Sequence, residues 1–233
     1  MLVCFWSPKG GSGTSVMAAA AALVLAGIGP ARVADLAGDL PAVLGLAADP
    51  DVGLRDWLRA GAEAPTDALD RLAIDAGRGL VLLPAGSGDI AQVTPEAGAA
   101  LAVALRTDPR PTIVDVGVLS AQSDRALHAL VEVADAHVIV VRGCYLALRR
   151  AVRVDLTASA AGAIYVDEPG RSLSIRDVHN VLGVPILATV GLRASTARAV
   201  DAGVLPTRLP DALARPAREA LRRVGCIGRE EAA

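Results

Sequence analysis

The feature that most constrains this chain is a glycine-rich segment, residues 8–15, that separates two apolar runs. The run before it, residues 1–6, is short and rich in β-forming side chains, which predicts a buried strand. The run after it, residues 14–26, is dominated by Ala, Leu, Val and Met, which predicts a buried helix. A strand, a glycine-rich loop and a helix in this order form the context in which a backbone loop can bind a phosphate group.

The residue types inside this segment also favour an anion site. Gly10, Gly11 and Gly13 allow successive backbone N–H groups to point toward one phosphate, and the helix that begins near Thr14 adds the positive end of its dipole. Ser15 has a hydroxyl at the position where a P-loop binds Mg²⁺. The competing interpretation is a glycine-rich turn that binds nothing. It explains the glycines, but it does not explain the strand, the helix and the hydroxyl together.

The single lysine of the chain lies in the same segment. Lysine and arginine total 23, and Lys9 is the only lysine among them. A genomic bias toward arginine explains the remaining cations, but it does not explain this exception. A lysine supplies a compact ammonium on a thin stem, which indicates a role that an arginine would not fill.

Beyond the first helix, short apolar runs alternate with helical segments along the chain. Runs without polar alternation indicate strands buried on both faces, so the alternation predicts a parallel sheet covered by helices on both sides. We expect an α/β fold with a doubly wound, mostly parallel sheet of about seven or eight strands. The predicted strands are residues 1–6, 32–36, 79–83, 112–116, 137–141, 162–166 and 185–190.

The predicted helices fill the intervals between these strands. Neither a repeat nor a linker divides the sequence, so we expect one domain over residues 1–233, with a closing helix and tail over residues 211–233. The predicted helices are residues 14–26, 41–46, 54–60, 65–73, 95–106, 123–134, 145–157 and 175–182, followed by two more that close the chain.

Composition narrows the class of protein further. The formal net charge of -2 gives no overall field that would attract nucleic acid. Cys4, Cys144 and Cys226 follow no metal-ligand spacing, which is typical of free thiols in a reducing compartment. The sequence has neither a signal-peptide pattern nor an apolar run long enough to cross a bilayer. The expected location is therefore the cytoplasm.

The glycine-rich segment resembles that of a known family. Lys9-Gly-Gly-Ser-Gly-Thr-Ser15 is similar to the deviant Walker A loop, K-G-G-x-G-K-[ST], of the ParA/MinD ATPases, which are P-loop NTPases of the SIMIBI type. The resemblance implies ATP or ADP with Mg²⁺ as ligands, and it implies that Lys9 reaches the phosphates of a partner subunit. At Thr14 the family has the lysine that neutralises the β- and γ-phosphates, so its loss implies weaker nucleotide affinity. This altered loop is most similar to that of the CpaE/TadZ branch, the localisation factors of Flp/Tad pilus assembly.

The resemblance extends to two later strands. Asp35 matches the first carboxylate of the family's D-x-D motif. The second carboxylate, which orients the attacking water in the family, is replaced by Ala37, and Asp39 lies two residues later. Asp115 matches the Walker B aspartate, and Gly117 matches the glycine that faces the γ-phosphate.

The family pattern implies three overlapping sets of site residues. The implied catalytic residues are Lys9, Asp35 and Asp39. The implied nucleotide-binding residues are Lys9, Gly10, Gly11, Ser12, Gly13, Thr14, Ser15, Asp115 and Gly117. The implied Mg²⁺ site consists of Ser15 together with Asp35 and Asp115, which would act through water.

The resemblance implies a nucleotide-binding protein of the MinD/ParA kind that positions or assembles a cellular machine, as a pilus localisation factor does. The two departures from the pattern imply weak or absent ATP hydrolysis. Two alternatives stay open: an active ATPase for septum placement or for chromosome or plasmid partitioning, and a degenerate scaffold. The implied partners are a second copy of the chain, bound when nucleotide is bound, and proteins of a pilus, secretion or division machine.

Attachment to a membrane or to DNA is a further alternative. Residues 212–224 place apolar side chains at helical spacing opposite arginines, as a MinD membrane tail does, although Pro216 interrupts them and closing the domain is the simpler role. Arg149, Arg150 and Arg153 would share one helical turn, and ParA-type proteins use such arginines to bind DNA without sequence preference. A solvated helix face is the simpler role for them.

A few other residues have both a functional and a structural interpretation. Asp167 lies where the family has a base-reading residue, but a solvated loop carboxylate is the simpler interpretation. Trp57 would anchor a partner or pack under the nucleotide-sensing region, and packing is the better prediction. His128, His137 and His179 share no spacing that would form a site.

Overall fold

The computed structural model describes residues 1–228, which form one eight-stranded sheet surrounded by helices. The strands are β1 (Leu2–Ser7), β2 (Ala31–Asp35), β3 (Ile74–Asp75), β4 (Leu80–Leu83), β5 (Thr112–Val118), β6 (Ala136–Arg142), β7 (Gly162–Asp167) and β8 (Ile186–Gly191). Their order across the sheet is β3-β4-β2-β5-β1-β6-β7-β8. Every neighbouring pair is parallel except β3 with β4. The predicted fold class is therefore confirmed.

Helices connect the parallel strands, as a parallel sheet requires. They are α1 (Thr14–Ala26), α2 (Leu40–Val43), α3 (Leu54–Arg59), α4 (Ala68–Leu72), α5 (Pro95–Thr107), α6 (Arg125–Val133), α7 (Tyr145–Ala151), α8 (Ile175–Leu182), α9 (Ala194–Asp201) and α10 (Asp211–Arg223). A short 3-10 turn, Asp155–Thr157, follows α7. The α1 helix has the bounds that the sequence predicts.

The sheet has a buried apolar cluster on each face, and β1 contributes to both. Leu2, Cys4 and Trp6 of β1 pack on the face covered by α3, α5, α6, α7 and α8. Val3 and Phe5 pack on the opposite face, which is covered by α1, α2 and α10. Successive side chains of a strand point to opposite faces, so an unbroken apolar run supplies both clusters.

The α1 helix packs directly on the sheet through small central side chains. Residues 18–22 are all alanine, and each has no solvent exposure. The helix contacts β1, β2 and β5 on one side and α10 on the other. This close packing fixes the position of the glycine-rich loop that precedes α1.

The structure departs from the predicted elements most clearly at the edge of the sheet and after β6. Ile74–Asp75 forms a short antiparallel edge strand in a place where no strand is predicted, directly after α4. The helix predicted over residues 145–157 ends at Ala151. Its end is stabilised by the hydroxyl of Thr157, which donates a hydrogen bond to the Ala151 carbonyl at 2.6 Å. Such a side-chain contact satisfies a carbonyl that the ended helix leaves open.

The α10 helix closes the second face of the sheet. It continues through Pro216, whereas the sequence predicts an interruption there. Its apolar residues Leu213, Ala217 and Leu221 are buried and pack in the cluster that contains α1. The burial of this face offsets the hydrogen bond that the proline cannot make. The predicted tail over residues 211–233 extends beyond α10, and residues 229–233 lie outside the described part of the chain.

None of the helices within residues 1–228 combines the length and the apolar character that a bilayer crossing needs.

Candidate functional site

The glycine-rich loop runs from the end of β1 to the start of α1 and leaves its main-chain amides open. Gly11 and Gly13 have positive φ angles of 75° and 87°, a backbone conformation that glycine adopts without strain. Within the described chain, no backbone hydrogen bond uses the N–H groups of residues 10–16, and the first bond of the helix runs from Met17 to Gly13. No side chain caps the N-terminus of α1, and its first turn holds no acidic residue. These donors therefore face a place where an anion would bind.

Two serine hydroxyls hold the outer side of the loop. Ser7 Oγ and Ser12 Oγ donate hydrogen bonds to the Lys9 carbonyl at 3.0 and 2.7 Å. Lys9 is half-buried, and its ammonium donates a hydrogen bond to the Gly10 carbonyl at 3.4 Å. Lys9 does not line the cavity described next.

A cavity of about 680 Å³ lies over the loop. Its floor is formed by residues 10–16, and its walls come from the carboxyl ends of β2 and β5 and from the end of α2. The carboxyl ends of parallel strands are the usual place for ligands in an open α/β sheet. The cavity thus brings together the loop, Asp39, Ala37 and Gly117, which the sequence places far apart.

Asp35 and Asp115 lie at adjacent positions on β2 and β5, each directly before residues that line this cavity, and both are fully buried. Asp35 accepts two backbone hydrogen bonds, from Gly38 N–H at 2.7 Å and from Leu40 N–H at 3.0 Å. Asp115 accepts one, from Gly117 N–H at 3.0 Å to Oδ1, whereas its Oδ2 has no hydrogen-bond partner. Asp35 therefore shapes the turn after β2, and Asp115 retains a buried oxygen without a partner.

Burial changes the protonation of both carboxyls. Burial raises the pKa of Asp115 to about 7. The nearby charge of Asp35 also raises this pKa, whereas the Ser15 hydroxyl lowers it. Burial also raises the pKa of Asp35, against the opposing hydrogen bonds from Gly38 and Leu40. A cation beside Asp115 would reverse the cost of ionising it, because an opposite charge favours the charged form.

The residues present fit a Mg²⁺ ion. Ser15 Oγ lies at the mouth of the loop and donates a hydrogen bond to Asp39 Oδ2 at 3.3 Å. The unpartnered Oδ2 of Asp115 is a hard oxygen ligand, which Mg²⁺ prefers. Residues 1–228 contain no cluster of three His, Cys, Asp or Glu side chains suited to a metal ion.

Ala37 and Gly117 face each other across the cavity wall. A Cβ atom built on Gly117, which has a φ of 73°, would lie 2.9 Å from the Ala37 Cβ. The two small residues therefore allow the ends of β2 and β5 to approach closely. Ala37 leaves this wall without a carboxylate, so Asp39 is the acid that lines the cavity.

Arg55 supports the turn after β2, next to the cavity, and the sequence alone does not indicate this role. Its Nη2 donates hydrogen bonds to the carbonyls of Leu36 and Ala37, each at 3.0 Å, so α3 is tied to the turn after β2. Its Nε is buried without a partner. Arginine is common along this chain, and no local pattern distinguishes this one from the others.

A second cavity, of about 250 Å³ and mostly apolar, adjoins the first on the side of β7 and β8. Ser12, Gly13 and Val16 of the loop line both cavities, and so does Arg142 at the end of β6. The walls of the second cavity also include Val190 and Leu213. The sequence alone does not indicate Arg142, because its place beside the loop follows from the strand order and not from spacing along the chain.

Other predicted candidates lie away from both cavities. Asp167 is exposed at the end of β7 and lines neither of them. Trp57 is buried, and its Nε1 donates to the Pro65 carbonyl at 2.9 Å, so it packs as predicted. The three cysteines are free. The three histidines have separate partners: His128 contacts Ser120, His137 contacts Trp6, and His179 contacts Val184.

The arginines considered for DNA binding are exposed. Arg149 and Arg150 lie in the last turn of α7, and Arg153 lies beyond its end. The shortened helix therefore separates the third arginine from the first two.

No protein-family model matches this sequence, and no match among curated proteins was found. Solved structures do match it. A ParA family ATPase from Chlorobium tepidum TLS is 20% identical, with a TM-score of 0.74 over 94% of this chain and 97% of that chain. The septum site-determining protein MinD complexed with Mg-ADP from Pyrococcus horikoshii OT3 is 18% identical, with a TM-score of 0.76 over 98% of each chain. A chain of the MinC:MinD cell division protein complex of Aquifex aeolicus is 18% identical, with a TM-score of 0.73 over 97% and 96%.

These similarities extend over almost the whole of each chain. The chain therefore has the fold of the ParA and MinD ATPases, in agreement with the predicted α/β, P-loop architecture.

Proposed function

We propose that this chain is a nucleotide-binding protein of the MinD/ParA kind that holds ATP or ADP with Mg²⁺ over residues 8–15. The observation that carries the proposal is the set of free N–H groups at the uncapped start of α1, beside a buried carboxylate oxygen of Asp115 without a partner. A phosphate would accept hydrogen bonds from the free N–H groups, and a hydrated divalent cation would bind the Asp115 oxygen. The adjoining apolar cavity supplies space for a nucleotide base.

The proposed roles follow from the positions of the side chains. Residues 10–15 bind the phosphates through main-chain amides, and Gly117 in the cavity wall faces the terminal phosphate. Ser15 and Asp115 hold Mg²⁺, with Asp35 contributing its charge and placing the turn that carries Asp39. When bound, the ion neutralises charge on the phosphate chain.

We propose slow or absent hydrolysis. Ala37 offers no carboxylate at the place where the family orients the attacking water, and Asp39 is the acid that remains in the cavity wall. Asp39 is exposed and engages Ser15, so it is less firmly held than a buried base would be. A protein that binds nucleotide and turns it over slowly suits a switch that marks a place for assembly. This supports a localisation factor of the CpaE/TadZ kind, with a deviant Walker A loop.

The proposed partners are a second copy of the chain and proteins of a pilus, secretion or division machine. Lys9 is half-buried and does not line the cavity of its own chain, which suits contact of its ammonium with phosphates of a second copy. The apolar face of α10 is buried, which leaves it unavailable for a lipid surface. The cytoplasm is the location that we propose. Any position at the inner face of a membrane would then depend on partners. DNA binding through the exposed side chains of Arg149 and Arg150 is a less favoured alternative.

The test is equilibrium binding of ATP and ADP, each with Mg²⁺, with the oligomeric state read by light scattering in the same samples. We expect micromolar to millimolar affinity and dimers that form with ATP. Dimers together with rapid turnover would favour the active ATPase for septum placement or partitioning. No binding at millimolar ATP would contradict the proposal and leave a degenerate scaffold.

A further inference from the structure

The phosphate loop has no cation of its own inside the cavity. Thr14, at the position where the family carries a lysine, is 6% exposed and neutral. Lys9 does not line the cavity. Among the described residues that do line it, Arg142 is the only cationic side chain. A phosphate chain bound to the loop would therefore meet one positive side chain, and that side chain comes from β6.

Strand order places Arg142 beside the loop. The β6 strand pairs with β1, which leads directly into the loop, and Arg142 is the last residue of β6. Its side chain is 27% exposed and lies where the phosphate cavity meets the apolar cavity, since it lines both. A nucleotide with its phosphates on the loop and its base in the apolar cavity would lie beside the Arg142 guanidinium.

The guanidinium of Arg142 makes few hydrogen bonds in the structure. Its Nε is buried and has no hydrogen-bond partner. Its Nη1 donates to Glu168 Oε2 over a long 3.4 Å, whereas Arg171 Nε donates to the same oxygen at 2.8 Å. Glu168 thus keeps a close partner when Arg142 turns away. A buried N–H without an acceptor is costly, so a bound oxygen anion would be stabilised there.

We propose that Arg142 supplies, from β6, the cation that the loop lacks at Thr14, and that it binds the phosphate chain of the nucleotide. This inference rests on the proposed function, because it assigns a residue to the same nucleotide site. Guanidinium groups bind phosphate oxygens through paired, charge-assisted hydrogen bonds, which a compact ammonium cannot form in the same geometry. The arginine therefore compensates for the missing lysine from a different element of the fold.

The test compares the wild-type protein with Arg142→Gln and uses calorimetry with three probes: ATP, inorganic tripolyphosphate and adenosine, each with Mg²⁺. We expect Arg142→Gln to lower the affinity for ATP and for tripolyphosphate by about 10- to 100-fold. Adenosine has no phosphate, so its binding should stay the same. Arg142→Lys should recover part of the lost affinity, because it keeps the charge but not the paired geometry.

Arg171→Gln is the matched control. It removes the other arginine that contacts Glu168, but Arg171 lines neither cavity. We expect unchanged ATP affinity in this variant. A double variant, Thr14→Lys with Arg142→Gln, should regain ATP affinity, since it returns a cation to the loop. Thermal unfolding of each variant without ligand shows whether it is folded.

The outcomes separate the inference from the proposed function. Wild-type binding of ATP with equal affinity in folded Arg142→Gln would overturn the inference and leave the proposed function standing. An equal loss of adenosine and ATP affinity would also overturn it, because the side chain would then serve the base. If the wild-type protein binds none of the probes, both conclusions are wrong.

Discussion

Asp35 and Asp115 are adjacent on neighbouring strands, yet Asp35 uses both oxygens to hold backbone amides while Asp115 keeps one oxygen without a partner. Two buried carboxylates side by side therefore have different roles. The first stabilises the turn that shapes the cavity, and the second is open to a ligand. The difference leads to a prediction for each residue.

Replacing Asp115 with Asn should separate stability from binding. Burial raises the pKa of Asp115 to about 7, so the folded state keeps this proton to higher pH than the unfolded state. Because the folded state binds this proton more tightly than the unfolded state does, it loses stability as pH rises from about 4 to about 7. In urea unfolding at pH 8 without ligand, Asp115→Asn should be more stable than the wild-type protein by roughly 1–3 kcal/mol.

The same variant should bind Mg-ATP more weakly, because the ion loses a negative ligand. Asp35→Asn serves as the comparison and should lower stability, since Asp35 accepts two backbone bonds. A stable Asp115→Asn protein with undiminished Mg-ATP affinity would argue against the metal role of Asp115.

Lys9→Ala should affect association more than nucleotide binding. Lys9 is half-buried and does not line the cavity of its own chain. We expect the ATP affinity of the monomer to stay within about fivefold of the wild-type value, because the ammonium makes no contact inside that cavity. The ATP-dependent dimer that we propose, measured by light scattering, should be lost. A dimer that persists in Lys9→Ala would show that this lysine does not act across subunits.

Gly98→Ala should lower the free energy of unfolding, although alanine is the better helix former. Gly98 lies in α5, and a Cβ atom there would come within 2.0 Å of the Ala126 carbonyl oxygen in α6. The two helices must separate to accept the methyl group, at a cost of about 1–3 kcal/mol. Gly29→Ala is the matched control, because nothing lies within 4 Å of its Cβ position. Urea unfolding of both variants measures the difference, and equal stability would contradict the close helix contact.

His137 should make stability depend on pH below neutrality. Burial lowers the pKa of His137 to about 4, and its Nδ1 accepts a hydrogen bond from Trp6 Nε1 at 3.2 Å. The unfolded chain binds the proton near pH 6.5, so the folded state loses stability as pH falls from about 6.5 to about 4. His137→Gln should reduce the loss between pH 7 and pH 5 by roughly 1–2 kcal/mol in urea unfolding. An unchanged pH dependence would assign the effect to other groups.

Much of the fold follows from local patterns in the sequence. The strand–loop–helix unit was predictable because apolar strands, glycines and an alanine-rich helix each have a strong local signal. The edge strand Ile74–Asp75 had none, since two residues are too short to show alternation. The end of α7 depends on a hydroxyl six residues away, which no helix-end pattern specifies.

The candidate site was predictable only in part. The loop residues and Asp115 lie in motifs with fixed spacing, so the sequence places them next to the same cavity. Arg55 and Arg142 reach the site from α3 and β6, and their places follow from the order of strands in the folded sheet. The different bonding of Asp35 and Asp115 depends on the local path of each turn, which spacing does not reveal.

The alternation along β1 has a practical consequence for spectroscopy. Trp6 points to the face of the sheet that also buries Trp57, and these are the only two tryptophans of the chain. Their fluorescence emission therefore reports on the half of the molecule that faces away from α1 and α10. A loosening of those two helices would pass almost unseen by this probe, so circular dichroism is needed to follow the half that holds the loop.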